Sequence, residues 1–325
     1  MNQMTNVLVL SAGRRVELLK SFQEALKVHF PKSSVYAADL YPELSSACQI
    51  AEQSFKAPHV NSEEYINFIL ELCHSQGIGM LVPTIDTELE ALSLAQSKFE
   101  NNGIQLVVSD SELVFACRDK RKTAEIYTSL GIDQPEIYDV HRLEIPCFCK
   151  PYDGSSGIGA MSILSDNDLT DDVINNEKNM FMELVGKEYN EYTIDCYFDR
   201  FGQLKCLVPR ERIEVRGGEV SKGITRKHFV YDYLLNRLSG LQGARGCLTV
   251  QVFGNPETHS VKALEINPRF GGGYPLAHSS GADYPDWLIR EYFLGEDIPF
   301  FDKWEINLLM LRYDAKVIVH ENKVG

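Results

Sequence analysis

No stretch of this sequence approaches the ~18 consecutive apolar residues of a membrane-spanning helix. The first apolar run, residues 7–10, is followed by Arg14 and Arg15 rather than preceded by positive charge, the reverse of a secretory leader. Both absences lead us to expect a cytoplasmic protein without a membrane partner. Positive charge is also short: 32 Lys and Arg stand against 46 Asp and Glu, a net −14. A chain so balanced supplies no long basic face for a nucleic-acid backbone, only local clusters suited to one small anion. No C-x-x-C pair occurs among the eight cysteines, and Cys147-x-Cys149 is too tight for the usual zinc spacing. They read as small buried hydrophobes with free thiols. Repeats and low-complexity segments are absent too, and 44% hydrophobic residues are enough for a real core.

What is present is a change of pattern along 325 residues, a length that suggests two or three units. Residues 6–10, 34–39, 78–82 and 104–108 read as apolar strands. Helical patterns at 14–28, 62–76 and 87–101 separate them. That alternation predicts a parallel sheet with helices on both faces, a Rossmann-like unit. One helix with basic residues is expected over 111–130. Strands then follow at 146–150, 160–164, 180–185, 192–198, 203–209, 212–216, 247–253 and 261–267. Helices are expected at 167–176, 228–240 and 283–293, and more strand at 304–319. Such strand runs predict α+β units on antiparallel sheets.

Two motifs are missing. Neither G-x-x-x-x-G-K-[ST] nor a G-x-G-x-x-G after the first strand occurs, which excludes a P-loop and disfavours a dinucleotide dehydrogenase. Ser11-Ala12-Gly13-Arg14-Arg15 fills that first turn instead, either to hold an anion or as a tight turn with two solvated arginines.

Four other segments bear chemistry. Lys150-Pro151-Tyr152-Asp153-Gly154-Ser155-Ser156-Gly157-Ile158-Gly159 delivers a lysine from a strand into a loop whose backbone N–H groups can face phosphate; an ordinary hairpin is the alternative. Alternation in 247–253 and 261–267 puts Gln251 on one strand face and Glu265 with Asn267 on another, and the turn-rich connection 254–260 lets the strands pair. One carboxylate and two amide oxygens, completed by phosphate, suit Mg²⁺, and Arg269 follows at once beside the phosphates. Arg210, Arg212, Glu214 and Arg216 share one face at strand period, as a basic wall or a charged surface, and a polar loop with Lys222 comes next. Arg118-Asp119-Lys120-Arg121-Lys122 is a basic helical run, ordinarily a solvated face.

Together these residues resemble the ATP-grasp superfamily, most closely its carbamoyl-phosphate-synthase-like and amino-acid-ligase branch. The likeness is carried by Asp119-Lys120-Arg121, Lys150-Pro151 with its loop, Met182-Glu183-Leu184-Val185-Gly186, Glu191-Tyr192-Thr193-Ile194-Asp195, Val250-Gln251-Val252 and Glu265-Ile266-Asn267-Pro268-Arg269. It implies a mixed α/β and α+β architecture. A Rossmann-like pre-ATP-grasp domain (1–111) precedes a small lid subdomain (112–188) and a large catalytic subdomain (189–325), the last two clasping ATP. By position, Lys120 and Lys150 meet phosphates under a 153–159 lid that includes Ser155, Ser156 and Gly157. Glu183 and Val185 meet the adenine edge. Glu191 binds ribose, with Glu188 as the alternative because the spacing from the hinge is one residue longer than the family pattern. Gln251, Glu265 and Asn267 hold one or two Mg²⁺, with Mn²⁺ as a substitute. Arg269 serves the transferring phosphate, and Arg212, Lys222 and Arg210 line the phosphate and substrate region.

Gln251 departs from branches that use an acid there. The chain also lacks amidotransferase and biotin-carrier segments, so a full carbamoyl-phosphate synthase is not expected. The activity implied is an ADP-forming carboxylate–amine ligase acting through an acyl phosphate, with small-molecule carboxylate and amine substrates and a homodimer as the common assembly. A carboxylate kinase and a non-catalytic ATP-binding module are the alternatives. Asp86 or Glu88, after Pro83-Thr84, can hold a substrate ammonium, or Thr84 or Asp86 can cap a helix. His278 is a further candidate for facing substrate.

Overall fold

The computed structural model describes residues 4–154 and 157–320. Its first part runs β1 (Asn6–Val9), α1 (Val16–His29), β2 (Val35–Asp39), α2 (Ser46–Ile50), β3 (Ser54–Lys56), α3 (Tyr65–Gln76), β4 (Ile78–Val82), α4 (Asp86–Leu94), α5 (Gln96–Glu100) and β5 (Gln105–Leu106). These strands form a parallel sheet in the order β3-β2-β1-β4-β5. The continuous apolar run in β1 has its cause here. Val7 and Val9 pack with Leu18, Leu19 and Phe22 of α1 on one face, while Leu8 and Leu10 pack with Ile69 of α3 and Leu89 of α4 on the other. A strand covered on both faces has no polar side to alternate with. Each such buried side chain contributes about 1.5–3 kcal/mol. Strand order reverses between β1 and β4, so the loops after them meet at the carboxyl edge where open sheets bind ligands.

Next come α6 (Ser111–Arg118), α7 (Lys120–Ser129), β6 (Ile137–Tyr138), β7 (Cys147–Pro151), β8 (Met161–Ile163), α8 (Asp171–Ile174) and β9 (Asn179–Glu183). The strands make an antiparallel sheet, β6-β9-β7-β8, around Cys147, Cys149, Ile163 and Phe181. The single helix expected over 111–130 is two. Asp119 leaves helical geometry (φ −108°, ψ 111°), and its carboxylate accepts the Arg121 N–H at 2.9 Å. That cap restarts the helix and makes Lys120 its first residue.

The remaining elements are β10 (Asn190–Phe198), β11 (Leu204–Arg216), β12 (Glu219–Thr225), α9 (Phe229–Leu238), β13 (Gly246–Gly254), β14 (Val261–Asn267), α10 (Tyr274–Ser279), α11 (Tyr284–Phe293) and β15 (Leu309–Leu311). They build a six-stranded sheet, β14-β13-β10-β11-β12-β15. Two expected strands, 203–209 and 212–216, are one long β11. The expected polar loop after it is strand β12, which pairs with it. Only three residues of the expected strand 304–319 pair.

All eight cysteines are free and seven are buried. No helix among the described residues is long and apolar enough to cross a membrane.

Candidate active site

A cavity of about 690 Å³ lies where the three sheets face one another. Its roof comes from β7, Gly154, Gly157, Ile158 and residues 182–185; its floor comes from β10, β11, β13 and β14; its far wall comes from the turn after β1 and the start of α4.

At the roof, the Lys120 backbone N–H donates to Tyr152 O at 3.0 Å, and its ammonium to Gly154 O. Lys150 stands on β7 opposite Met180. Burial pulls the Lys150 ammonium down to about 8; Glu265 opposes this and Lys120 adds to it. Burial also lowers Lys120, again against the pull of Glu265. Both lysines and Glu265 therefore share one field. Gly157 lines the same space, while Ser155 and Ser156 lie outside the described residues. Glu183 and Val185 border the cavity as well. The Glu183 carboxylate is engaged by Lys262 and by the Glu136 N–H at 3.3 Å, and its own N–H donates to Glu136 O at 2.8 Å.

Strand register assembles the floor. Gln251 pairs directly with Glu265, and Thr249 with Asn267. Asn267 Nδ2 donates to Glu265 Oε1 at 3.0 Å, and Gln251 Nε2 donates to Glu191 Oε1. Both amides spend their nitrogens on carboxylates, which leaves oxygens as their ligating atoms. Among the described residues no group of three His, Cys, Asp or Glu could hold a metal. The donor set is hard oxygen with few charges. It fits Mg²⁺ brought in with phosphates better than a metal held by protein alone. Glu191 reaches the cavity, where Arg212 Nη1 pairs with it at 2.5 Å. Glu188 is exposed and folds back over Gly186.

Arginines close the deep end. Arg210 is 1% exposed, and its Nε and Nη2 bind the buried Asp195 at 2.5 and 3.2 Å. Arg269 Nη2 donates to Asp86 Oδ2 at 2.7 Å, and its Nη1 to Phe270 O at 3.2 Å. Three buried donors nevertheless have no partner: Arg210 Nη1, Arg212 Nε and Arg269 Nε. A buried, unpaired guanidinium N–H is costly, and three around one cavity fit an anionic ligand that completes them.

Several expected residues fall elsewhere. Lys222 does not line the cavity; it pairs with Glu214 at 2.7 Å, half exposed. Arg216 pairs with Asp314 at the surface. The four charges of β11 do not share one face, because the register with β12 shifts between Arg212 and Glu214 and again before Val215. A bulge there turns the strand, and the simple period of two ends at Arg212. Glu88 is fully buried. Its carboxylate accepts from Thr84 N–H (2.7 Å), Ile85 N–H (3.2 Å), the Ser11 hydroxyl and the Tyr65 hydroxyl. It caps α4, the task expected of Thr84 or Asp86, and burial raises its affinity for a proton. His278 pairs with Asp283 at 3.4 Å, away from the cavity, and that carboxylate raises its proton affinity. Arg15, whose turn the sequence left open as an anion site or a solvated turn, lines the cavity, and Glu219 and Thr249 are wall residues not anticipated.

Residues 7–107 match the family model for the PylC-like N-terminal domain, and residues 175–307 that for ATP-grasp in the biosynthetic pathway with Ter operon. Among solved structures, the biotin carboxylase domain of Hydrogenobacter thermophilus 2-oxoglutarate carboxylase, in complex with MgADP and bicarbonate, superposes with a TM-score of 0.71. It is 15% identical and covers 95% of this chain and 74% of its own. The fold is ATP-grasp. The Staphylococcus aureus N5-carboxyaminoimidazole synthetase complexed with ADP agrees with a TM-score of 0.70, at 15% identity over 91% of this chain and 78% of that one. The biotin carboxylase from Campylobacter jejuni gives 0.71, at 15% identity over 95% and 75%. No curated protein matches the sequence. In this ATP-grasp fold the cleft described above lies between the two antiparallel sheets and the parallel one.

Proposed function

We propose that this chain is an ADP-forming carboxylate–amine ligase using ATP and Mg²⁺. The observation that carries the reading is the β13–β14 register, which sets Gln251 opposite Glu265 with Asn267 beside them. Glu265 lies in the field of both cavity lysines, and Arg269, just past β14, also lines the cavity. Two similar structures are complexes with MgADP or with ADP.

In this reading Lys120 and Lys150 neutralise the ATP phosphates, and residues 183–185 meet adenine through their backbone. Glu191 serves the ribose or, through its contacts with Gln251 and Arg212, the phosphate side. Glu265, Gln251 and Asn267 hold Mg²⁺, which supplies charge neutralisation on the phosphates when bound. A carboxylate oxygen attacks the γ-phosphorus; the new O–P bond replaces the bond to ADP, which leaves with that electron pair. An amine then attacks the acyl carbon. Inorganic phosphate departs with the C–O pair, and the nitrogen gives up a proton. Arg269 and Arg210 neutralise charge as it develops, from a buried site where such contacts are strong. Anchoring by Asp86 and Asp195 pre-orients both guanidiniums, so little reorganisation is needed at reaction.

The test is ADP and phosphate release with Mg-ATP across a carboxylate panel, with and without amines, and mass detection of product. A condensed product of acid plus amine minus water supports the ligase. A phosphorylated acid that forms without an amine would make the protein a kinase. ATP binding with no stimulated turnover across a broad panel would make it a binding module.

A further inference from the structure

We infer that Arg15 is a specificity residue for the acceptor acid, and that this acid carries a second anionic group; the inference rests on the ligase reading. Arg15 lies in the turn after β1 and lines the deep end of the cavity. Among the described residues its guanidinium donates no hydrogen bond and belongs to no ion pair. Four arginines around it are paired: Arg210 with Asp195, Arg269 with Asp86, and Arg14 and Arg312 with Glu219. Asp86 and Glu219 act on Arg15 only at longer range, while Arg269 and Arg312 repel it. Five arginines thus meet three carboxylates, an excess of two positive charges in a chain of net −14.

The position is unfavourable for a cation in two ways. Burial and Arg269 together weaken its hold on its proton. It also precedes the first turn of α1, the end of a helix that repels positive charge. Glu219 and Asp86 offset this only from a distance and neither pairs with it, so a bound anion supplies the direct counter-charge.

The glycines at 271–273 keep the approach open. A Cβ at Gly272 would stand 3.0 Å from Arg15 Nη1 and 2.8 Å from Glu219 Oε1, and one at Gly273 would collide with Arg210 Nη1. Arg210 Nη1 is buried without a partner, on a side chain 1% exposed. Two independently unsatisfied guanidinium groups, from different sheets, therefore face one glycine segment. Arg269 neutralises the transferring phosphate. Arg210 Nη1 suits the reacting carboxylate, and Arg15 is left for a further anion on the same molecule. That anion is a second carboxylate or a phosphate.

Matched probes separate these sources: succinate against propionate, and 3-phosphoglycerate against glycerate. Each is titrated calorimetrically into the full chain, with and without Mg-ADP, in wild type, Arg15→Ala and Arg15→Lys. A charge-assisted contact leads us to expect the dianion of at least one pair to bind about 10- to 100-fold tighter in wild type. The pair that shows it names the second group. Arg15→Ala should bring that ratio to near unity, Arg15→Lys should restore part of it, and Mg-ADP affinity should stay within about twofold. Thermal stability of Arg15→Ala should be unchanged or higher, because no side-chain hydrogen bond or ion pair is lost; a structural arginine would lower it. Equal binding within both pairs, no probe binding at all, or a preference retained in Arg15→Ala overturns the assignment. Loss of Mg-ADP binding alone, with the anion pattern intact, removes the ligase reading and leaves the anion site standing.

Discussion

Lys150 offers a quantitative test, because its ammonium is pulled down to about 8 by burial while it lies inside the cleft. In the free protein the group is therefore mostly charged at pH 7 and mostly neutral at pH 9. A bound polyphosphate restores the charge. With a bound pKa well above 9, linkage makes Mg-ADP affinity fall about tenfold between pH 7 and pH 9, and binding at pH 8 takes up about half a proton. Mg-ADP is the ligand of choice because its phosphates are already ionised across that range. Titration calorimetry in two buffers of different ionisation enthalpy reads the proton directly. Lys150→Arg keeps the positive charge but does not titrate, so the proton uptake should shrink to the share of Lys120, whose pKa burial also lowers. The stability sign is opposite to that of a salt-bridged lysine. The unfolded chain holds more protons between about pH 8 and the ordinary lysine value, so this group makes the ligand-free fold more stable as pH rises through that window. An affinity flat from pH 7 to pH 9, or a slope unaltered by Lys150→Arg, refutes the placement of Lys150 against phosphate.

Other substitutions divide the cleft by function. Glu265→Gln keeps size and hydrogen bonding but removes the one carboxylate of the oxygen set; turnover should fall by at least about 100-fold with an unchanged circular-dichroism spectrum, and full Mg-ATP turnover would move the metal elsewhere. Asp195→Ala leaves Arg210 charged and buried without its partner; chemical denaturation should show a loss of about 3–5 kcal/mol, and a loss under 1 kcal/mol would mean that the pair is solvated. Gly273→Ala sets a methyl against Arg210 Nη1; turnover should drop more than stability, and wild-type rates would show that the segment yields. Lys222→Ala should leave ATP turnover within about twofold, since its half-exposed pair with Glu214 lies outside the cleft; a large loss would bring Lys222 into the site on closure.

What the sequence revealed and what it hid follow from the range of each interaction. The parallel sheet was legible because a strand buried on both faces must be apolar throughout, as residues 7–10 are. The pairing of Gln251 with Glu265 was legible because a short turn-rich connection leaves few registers for two alternating strands. Lys120 was legible only through resemblance, since as a bare residue it reads as part of a solvated helical run; Lys150 with its glycine loop left a phosphate site and an ordinary hairpin both open until the resemblance was added. The break at Asp119 was missed although aspartate is a good cap, because it sits inside a charged run that reads as one solvated helical face with no Gly or Pro to interrupt it. Strand β12 was missed for a different reason. Ser221, Lys222 and Gly223 have little intrinsic strand tendency, and their backbone pairs because β11 and β15 flank them.

Arg15 illustrates the limit most sharply. Two arginines after a βα turn have an ordinary solvated reading, and no local spacing distinguishes the one facing solvent from the one facing the cleft. Arg14 is exposed and Arg15 is not. The difference comes from the 271–273 segment, more than 250 residues later, which packs beneath the turn without side chains. Charge balance then makes it functional. Asp86, Asp195 and Glu219 are all claimed by other arginines, so Arg15 alone in that group has no ion-pair partner of its own. A site reads as a binding site when its unpaired charges, and not only its cavity, require a ligand. Here the lysines of the roof, the orphan donors of Arg210, Arg212 and Arg269, and the bare guanidinium of Arg15 all require anions along one cleft. That sequence of charges suits a nucleotide at one end and a multiply charged acid at the other.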